Sequence, residues 1–477
     1  YNYACIYDYI GHFYEAGRLQ TRIDAEALAD CDVLILKVPT EAYDSDEVHA
    51  IVRYVEQGGG VMLVGEHTDV FLTSTHLNQV ARRFGFAFRK DCLFGIDDTF
   101  RQLFRPPAVP HPIVQHMPPM DFAVSCSIAP RAASGRAPIR STGLWSLPAD
   151  YHASNFYPQV EDRTDARYGA FTQLWTQCVG KGRVVAFSDS TIFSNFSTFE
   201  PGKAELMLGM LEWLNHANRL PDPRWWLLAA GLVTGGAAIV LRRPAVPVPV
   251  LLATGLFAWS VAGAALNAYH RAAIPPVQPQ RDFTRVAIDR TVSDAVLSRS
   301  GFIEASDHSF GIFEQWILRL GYFIVRTADD AVFDSDAVVF FQPDKAPSAS
   351  FVRRLAEYVR DGGRVLVLDS AHNEDSTANS LLHPFGLSVK PHTTLQGDIE
   401  PAMASWAPVP VQAAVAIDGG DPIAAIDGTP VAAVGRHGEG AVMVIGFGAR
   451  FNDNNMGVTT DLQPSAALRE VFELEYA

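Results

Sequence analysis

No CxxC pair occurs among the five cysteines, Cys5, Cys31, Cys92, Cys126 and Cys178. Their wide spacing excludes a zinc cage and a dithiol redox motif, and leaves free, half-buried or buried thiols as the expectation. Cations are scarce as well: 38 Lys and Arg stand against 53 Asp and Glu, a net charge of −15. Nucleic-acid binding rests on clustered Lys and Arg and is excluded. Charged residues make up only 19% of the chain against 48% hydrophobic ones, too apolar a balance for disorder. No helical pair of histidines at metal-ligand spacing is present, and neither a metal nor a cofactor is expected.

What is present is length and one local apolar excess. At 477 residues the chain exceeds a single core and predicts two or three domains. The first residue is Tyr1, so we expect a piece of a longer chain. The run from Trp225 to Leu241 carries no charge, and after Arg242, Arg243 and a Pro-rich stretch a second uncharged run extends from Val250 to Ala268. Each is about as long as a bilayer's hydrocarbon core is thick when helical. Trp225, Trp226 and Tyr269 suit an interfacial belt. The sequence therefore predicts a two-helix transmembrane hairpin over residues 219–280, a location at the cell membrane, and soluble parts sharing one side. The flanking arginines, Arg219, Arg224, Arg271 and Arg281 against Arg242 and Arg243, leave that side undecided.

The flanking parts, residues 1–218 and 281–477, repeat one another. Asp32 to Pro39 reads as a strand, Ser45 to Gln57 as a helix with Val48, Ile51, Val52 and Val55 on one face, Gly58 to Gly60 as a stop, and Val61 to Gly65 as the next strand. The second part runs in the same order from Asp336 to Asp369. Asp32 falls on Asp336, Gly58 on Gly362 and Val61 on Val365, each offset by 304. After a three-residue deletion Asn78 meets Asn379. GKGRVVAFSDSTIFSN (Gly180 to Asn195) meets GEGAVMVIGFGARFND (Gly438 to Asp453) at an offset of 258. A closing helix is expected in each part, Ala204 to Asn218 and about Ser465 to Glu475. Alternating strands and helices at this spacing imply βαβ units with parallel sheets. Before the Asp336 block come a strand, Arg285 to Asp289, and a helix, Ser309 to Gly321; before the Asp32 block only a helix, Cys5 to Gly17, fits. The missing strand is expected upstream of Tyr1. Residues 97–162 are Pro-rich and read as an inserted loop region with short strands such as Met120 to Ile128.

The strand–helix–GG–strand block, the Asn-x5-Phe-Gly stretch and the GKGRVVAFSDSTIFSN ending resemble the class I glutamine amidotransferase-like fold. More narrowly they resemble its non-catalytic branch in bacterial membrane proteins, which includes the auxiliary component of gliding-motility ABC transporters. The resemblance implies two flavodoxin-like or amidotransferase-like α/β domains. It also implies a membrane-anchored binding or assembly role, with transporter subunits or a saccharide or cell-envelope ligand as partner. Catalytic members of that fold carry a cysteine on the turn after the GG-led strand. Here the turns read Val64-Gly65-Glu66-His67-Thr68 and Leu368-Asp369-Ser370-Ala371-His372. A thiolate nucleophile is absent from both, so glutamine hydrolysis by that route is not expected.

Ligands of open parallel sheets sit beyond the strands' carboxyl ends. In the first repeat that edge gathers Glu66, His67, Thr68 and Asp69, with Asn78 nearby, and after the GRVVAF strand Asp189, Ser190 and Asn195. These are the ligand-site candidates. A Glu/His/Asp cluster also suits general acid–base chemistry, so a membrane-bound hydrolase using Glu66, His67 and Asp189 stands as the alternative. Glu66 to Asp69 equally suit the capping of the next helix. In the second repeat Ser370 replaces Glu66 and Phe447 replaces Asp189. Any site is therefore expected in the first repeat, walled by the longer insertion. Asp369, Ser370 and His372 lie too close along the chain for a triad, and Arg450 to Asn455 reads as a polar turn.

Overall fold

The computed structural model describes residues 3–99, 101–132, 134–153, 156–216, 233, 248–299, 306–402 and 409–456. Two compact units emerge. One comprises Glu15–Phe193 and Gly202–Gln278; the other comprises Tyr1–Tyr14, Ser194–Pro201 and Pro279–Ala477. The first helix, α1 (Ala4–Gly11), thus belongs with the second repeat. Its Tyr9 ring packs 5.2 Å from Phe199, 5.6 Å from Phe283 and 5.2 Å from Phe323, all in the same unit.

The first unit is built on one mixed sheet. β1 (Val33–Lys37) leads into α2 (Ser45–Gln57) and returns as β2 (Gly60–Val64), parallel to β1. α2 starts at a reciprocal cap: Asp44 Oδ1 accepts from Glu47 N at 2.9 Å, and Glu47 Oε2 accepts from Asp44 N at 3.0 Å. It buries Val48, Ile51 and Val55 and stops at Gly58, whose φ of +132° suits glycine. α3 (Thr73–Ala81) follows, then β3 (Phe86–Phe88), β4 (Asp91–Gly95), a small ribbon of β5 (Gln102–Phe104) and β6 (Met120–Phe122), and β7 (Ile128–Pro130). The long strands β8 (Arg136–Pro148) and β9 (Arg167–Val179) precede β10 (Gly182–Phe187), α4 (Lys203–Leu214) and α5 (Val248–Ala273). The sheet order is β1-β2-β10-β9-β7-β3, with β8 beside β9 and β4 beside β8. Leu36, Ile51, Val61, Leu63, Leu77, Val80 and Val184 form its core.

The second unit holds β11 (Arg285–Asp289), α6 (Gly311–Arg319), β12 (Phe323–Thr327), β13 (Ala337–Phe341), α7 (Ala349–Arg360), β14 (Arg364–Leu368) and α8 (Ala378–Leu382). It ends in β15 (Ser388–Pro401), β16 (Val409–Asp418), β17 (Asp421–Ile426), β18 (Thr429–His437) and β19 (Gly440–Ile445). Its order is β12-β11-β13-β14-β19-β18-β17-β15-β16. The shared block β1-β2-β10-β9 corresponds to β13-β14-β19-β18 in order and register. Val33 pairs with Gly60 and Ala337 with Arg364; Arg183 pairs with Gly60 and Ala441 with Arg364. These positions keep the offsets of 304 and 258.

The all-parallel expectation is overturned. β10 runs parallel to β2 but antiparallel to β9, and β19 runs parallel to β14 but antiparallel to β18; the strands beyond continue antiparallel. The cause is the GKG and GEG segments. Gly180 and Gly438 have φ of +57° and +61°, and each opens a two-residue hairpin loop where no crossover helix is needed. The glycine ending each loop has no room for a side chain. A Cβ on Gly182 would stand 2.2 Å from the Gly59 and Val55 carbonyl oxygens, and one on Gly440 2.2 Å from those of Gly363 and Val359. Gly182→Ala and Gly440→Ala should each cost about 3 kcal/mol in urea unfolding, the upper range for overpacking. Either variant unfolding like the parent would show that the backbone gives way.

The transmembrane hairpin is overturned as well. No described helix is long and apolar enough to cross a membrane. α5 covers the second uncharged run, but alanines and glycines fill much of it and Ser260 and Asn267 interrupt it. Its end is tied down by Gln115 Nε2, which donates to Ile274 O at 2.7 Å. The first run, Trp225 to Leu241, lies outside the described residues apart from Val233, and so does the expected helix from Ser465 to Glu475. The membrane location and the shared side of the soluble parts lose their basis with the hairpin.

Candidate functional site

Strands β2 and β10 deliver their carboxyl ends side by side, and Gly65 N donates to Phe187 O at 2.8 Å. The chain leaves β2 through a strained turn. Thr68, Asp69, Phe71 and Leu72 have φ of +52°, +60°, +54° and +61°, left-handed values that cost non-glycine residues of order 1 kcal/mol or more each. Asp69 holds the turn: its carboxylate accepts from Thr75 N and Thr75 Oγ1, both at 2.7 Å, and pairs with Lys90 Nζ at 2.6 Å. Phe71 and Leu72 are left exposed.

Glu66, His67 and Asp189 do converge. Glu66 Oε2 accepts from Ser190 Oγ at 2.6 Å and Thr191 Oγ1 at 2.9 Å, while Oε1 accepts from His67 N at 2.9 Å and lies 3.8 Å from His67 Nε2. His67 Nδ1 meets Thr68 Oγ1 at 2.8 Å. Burial pushes the imidazole pKa down, with Glu66 opposing, which favours the neutral ring. Asp189 is 0% exposed. Its two oxygens accept from Ala123 N at 3.0 Å and Ile192 N at 3.3 Å. Burial first, and then the nearby Glu66, drive its pKa well up, with Lys203 opposing.

Two candidates belong elsewhere. Asn78 is a splint between α3 and β3: Nδ2 donates to Phe88 O at 3.0 Å and Oδ1 accepts from Phe88 N at 2.8 Å. Asn379 makes the same pair of bonds to Val389, at 3.0 and 2.8 Å, which explains the repeated Asn-x5-Phe-Gly stretch as a packing device. Asn195 lies in the second compact unit and accepts from Cys5 N at 3.0 Å.

Sequence reasoning missed three neighbours. Lys203, at the start of α4, is fully buried and acts electrostatically on Asp189. A lysine at the head of a mostly apolar helix, KAELMLGMLEWL, is the available signal. Tyr157, from the loop joining β8 and β9, stacks on the His67 ring at 4.5 Å and 15°; nothing in the local pattern marked it. Lys37 closes β1, and burial lowers its pKa to about 8, with Glu66 opposing. It should titrate near pH 8 and acetylate ahead of ordinary lysines at that pH. Glu66→Gln should lower its pKa further, as followed by the pH dependence of acetylation at this site; a rise would contradict the assignment.

The cluster is buried and largely self-satisfied. Glu66 and His67 are 5% and 4% exposed, and Tyr157 covers the ring. The Cys92 and Cys126 thiols are buried, and that burial drives both pKa values well up, away from the reactive thiolate. No disulfide is formed among Cys5, Cys31, Cys92 and Cys126. Among the described residues no group of three or more His, Cys, Asp or Glu could hold a metal ion. A shallow recess lies in the second unit, lined among others by Phe199, Glu200, Ser298, Glu314 and Arg326, and contains none of the candidates. At the second repeat's turn Asp369 accepts from Ser370 N, Asn373 Nδ2 and Ser376 Oγ, a cap in place of a triad. Asn452 and Asn454 bond Asp307 and form a polar turn.

The family described as "Domain of unknown function (DUF4350)" matches residues 14–211, which span the first repeat and the cluster. No curated protein matches the chain. Among solved structures, the N-terminal domain of mmIFT52 is similar at 13% identity and a TM-score of 0.30, over 40% of this chain and 97% of that one. A β-galactosidase from Rahnella sp. R3 is similar at 16% identity and a TM-score of 0.26, over 40% of this chain and 33% of that one. One from the haloarchaeon Halorubrum lacusprofundi is similar at 16% identity and 0.26, over 45% and 33%. The chain therefore spans about a third of the length of these glycosidases.

Proposed function

We propose that the chain is a non-catalytic binding or assembly module of amidotransferase-like ancestry, whose polar strand edge supports the fold. One observation carries this reading: Glu66 and Asp189 converge, yet both are buried and their oxygens accept from the protein's own backbone amides and hydroxyls. A working acid–base pair needs a substrate oxygen or nitrogen within hydrogen-bond reach. Ligand classes to screen are saccharides, cell-envelope components and transporter subunits.

The hydrolase reading keeps one specific support. Perturbed protonation of Asp189, His67 and Lys37 in one cluster is the pattern of reactive sites. Parent protein and Tyr157→Ala, which uncovers His67, should be assayed against glycoside, ester and amide substrates. The binding reading expects no turnover from either. Turnover that disappears in Glu66→Gln or Asp189→Asn would replace it with the hydrolase.

A further inference from the structure

The exposed pair at the strained turn has charged company. Phe71 and Leu72 are 65% and 55% exposed, adjacent, and both held at left-handed φ. Scattered exposed apolar residues are ordinary, but two bulky side chains held outward by a strained backbone are not. From them an exposed stripe runs along α3 through Thr75 and Gln79 to Arg82 and Arg83, about 14 Å away at 1.5 Å per residue. The chain then returns to the turn at Arg89 and Lys90, where Lys90 Nζ meets Asp69 Oδ2 at 2.6 Å and Thr75 Oγ1 at 2.7 Å. Between Val70 and Lys90 there is no acidic residue, although the chain's net charge is −15. Arg82, Arg83 and Arg89 are exposed and form no ion pair among the described residues.

The second repeat builds the same segment without these features. Aligned on Asn78 and Asn379, its turn runs from Ser370 to Thr377 and holds Glu374 and Asp375 but no bulky apolar residue; His383 and Pro384 replace Arg82 and Arg83. Lys390, in place of Arg89, is paired with Asp418 at 2.8 Å. The fold therefore requires neither the apolar pair nor the unpaired cations.

We infer that the stripe from Phe71 to Arg83, with Arg89, is a docking surface for an acidic segment of a partner protein that packs a bulky apolar residue on Phe71 and Leu72. Charge selects the class of partner. An anionic membrane surface or a nucleic acid presents an extended array of anions, which a net charge of −15 repels. A short acidic segment lies within about 8 Å of the cations, the range that screening allows at physiological salt, and meets their field rather than that of the whole chain. The apolar pair supplies a desolvated anchor, and the arginines supply the carboxylates' partners. Docking here is independent of the carboxylate cluster, and its failure would leave the reading of Glu66 and Asp189 standing.

The probe is a displayed library of random peptides about twelve residues long, some 18 Å if helical, selected on the full chain. Selected peptides should be rich in Asp and Glu, carry a bulky apolar residue, and bind more weakly as salt rises, as followed by fluorescence anisotropy. Arg82→Glu with Arg83→Glu should weaken binding by more than about tenfold. Arg353→Glu, at an equally exposed cation of α7, should not change it. Phe71→Gly with Leu72→Gly separates docking from folding. Glycine adopts left-handed φ without strain, so the urea midpoint should hold while binding falls by about tenfold or more. Binding that survives this variant, or that ignores Arg82→Glu with Arg83→Glu, overturns the proposal. So does a selection that yields no peptide, or peptides without an acidic excess. So does a parent that cosediments with phosphatidylserine vesicles, or self-associates, and loses that behaviour in Arg82→Glu with Arg83→Glu, because the surface then belongs to a membrane or to a second copy.

Discussion

Asp189→Ala should destabilise the chain by about 3–5 kcal/mol in urea unfolding at pH 7, and Asp189→Asn by about 1–2 kcal/mol. The carboxylate is 0% exposed and accepts from two backbone amides, Ala123 N and Ile192 N. Alanine strands both donors in the interior. Asparagine keeps one acceptor and resembles the protonated acid that burial and Glu66 favour. The pH dependence tests this assignment. A carboxyl whose folded pKa is raised binds more protons in the native state, so stability falls as pH rises from the ordinary value of 3.8 towards the folded one. Parent stability should therefore fall across that window relative to Asp189→Asn, which cannot titrate. A parallel pH profile for the two would show that Asp189 is already charged when folded.

How much of this was legible in the sequence depends on where the information lay. The repeat was readable because β-strand registers preserve spacing: the 304 offset survives as Val33–Gly60 and Ala337–Arg364. The α2 helix, Ser45–Gln57, and the strand Arg285–Asp289 appear with the bounds read from periodicity. Sheet polarity departs from the parallel expectation because the strand–helix alternation ends at GKG and GEG, where a tight turn reverses the chain. The pattern from Met120 to Ile128 predicts one strand, yet the strand is broken between Phe122 and Ile128; Ser125 and Ser127 inside the gap bond Gln102 and Asp91. The uncharged run at α5 was weighed by lack of charge, whereas alanine and glycine contribute little apolar area.

The candidate site was half legible. Residues adjoining one another at strand ends, Glu66, His67, Asp189 and Ser190, could be placed by topology alone. Asn78 could not be told from a ligand residue without its partner, because a buried amide bridging a backbone looks the same in sequence as one aimed at a ligand. Tyr157 arrives from the β8–β9 loop, and long-range stacking leaves no local trace.

The second unit's large effect should come from Arg326. Its Nε donates to Glu314 Oε1 at 2.5 Å, an Nη donates to Glu314 Oε2 and to Ser298 Oγ, the latter at 3.1 Å, and Glu200 Oε1 lies 3.9 Å away. Glu314 is 2% exposed, and burial raises its pKa even with Arg326 opposing. Arg326→Ala leaves that carboxylate without its main cation and should cost about 3–5 kcal/mol at pH 8. The raised pKa fixes the sign of the pH effect. Native Glu314 holds its proton above the ordinary 4.5, so stability falls as pH rises through the interval, and loss of Arg326 extends the interval upward. The penalty of Arg326→Ala should therefore be smaller at pH 5 than at pH 8. Arg326→Ala with Glu314→Gln should recover part of the loss at pH 8 and flatten its pH dependence, since the glutamine carries no charge to bury. A penalty that is the same at both pH values, with no recovery in the double variant, would make Arg326 a packing residue whose charge is incidental.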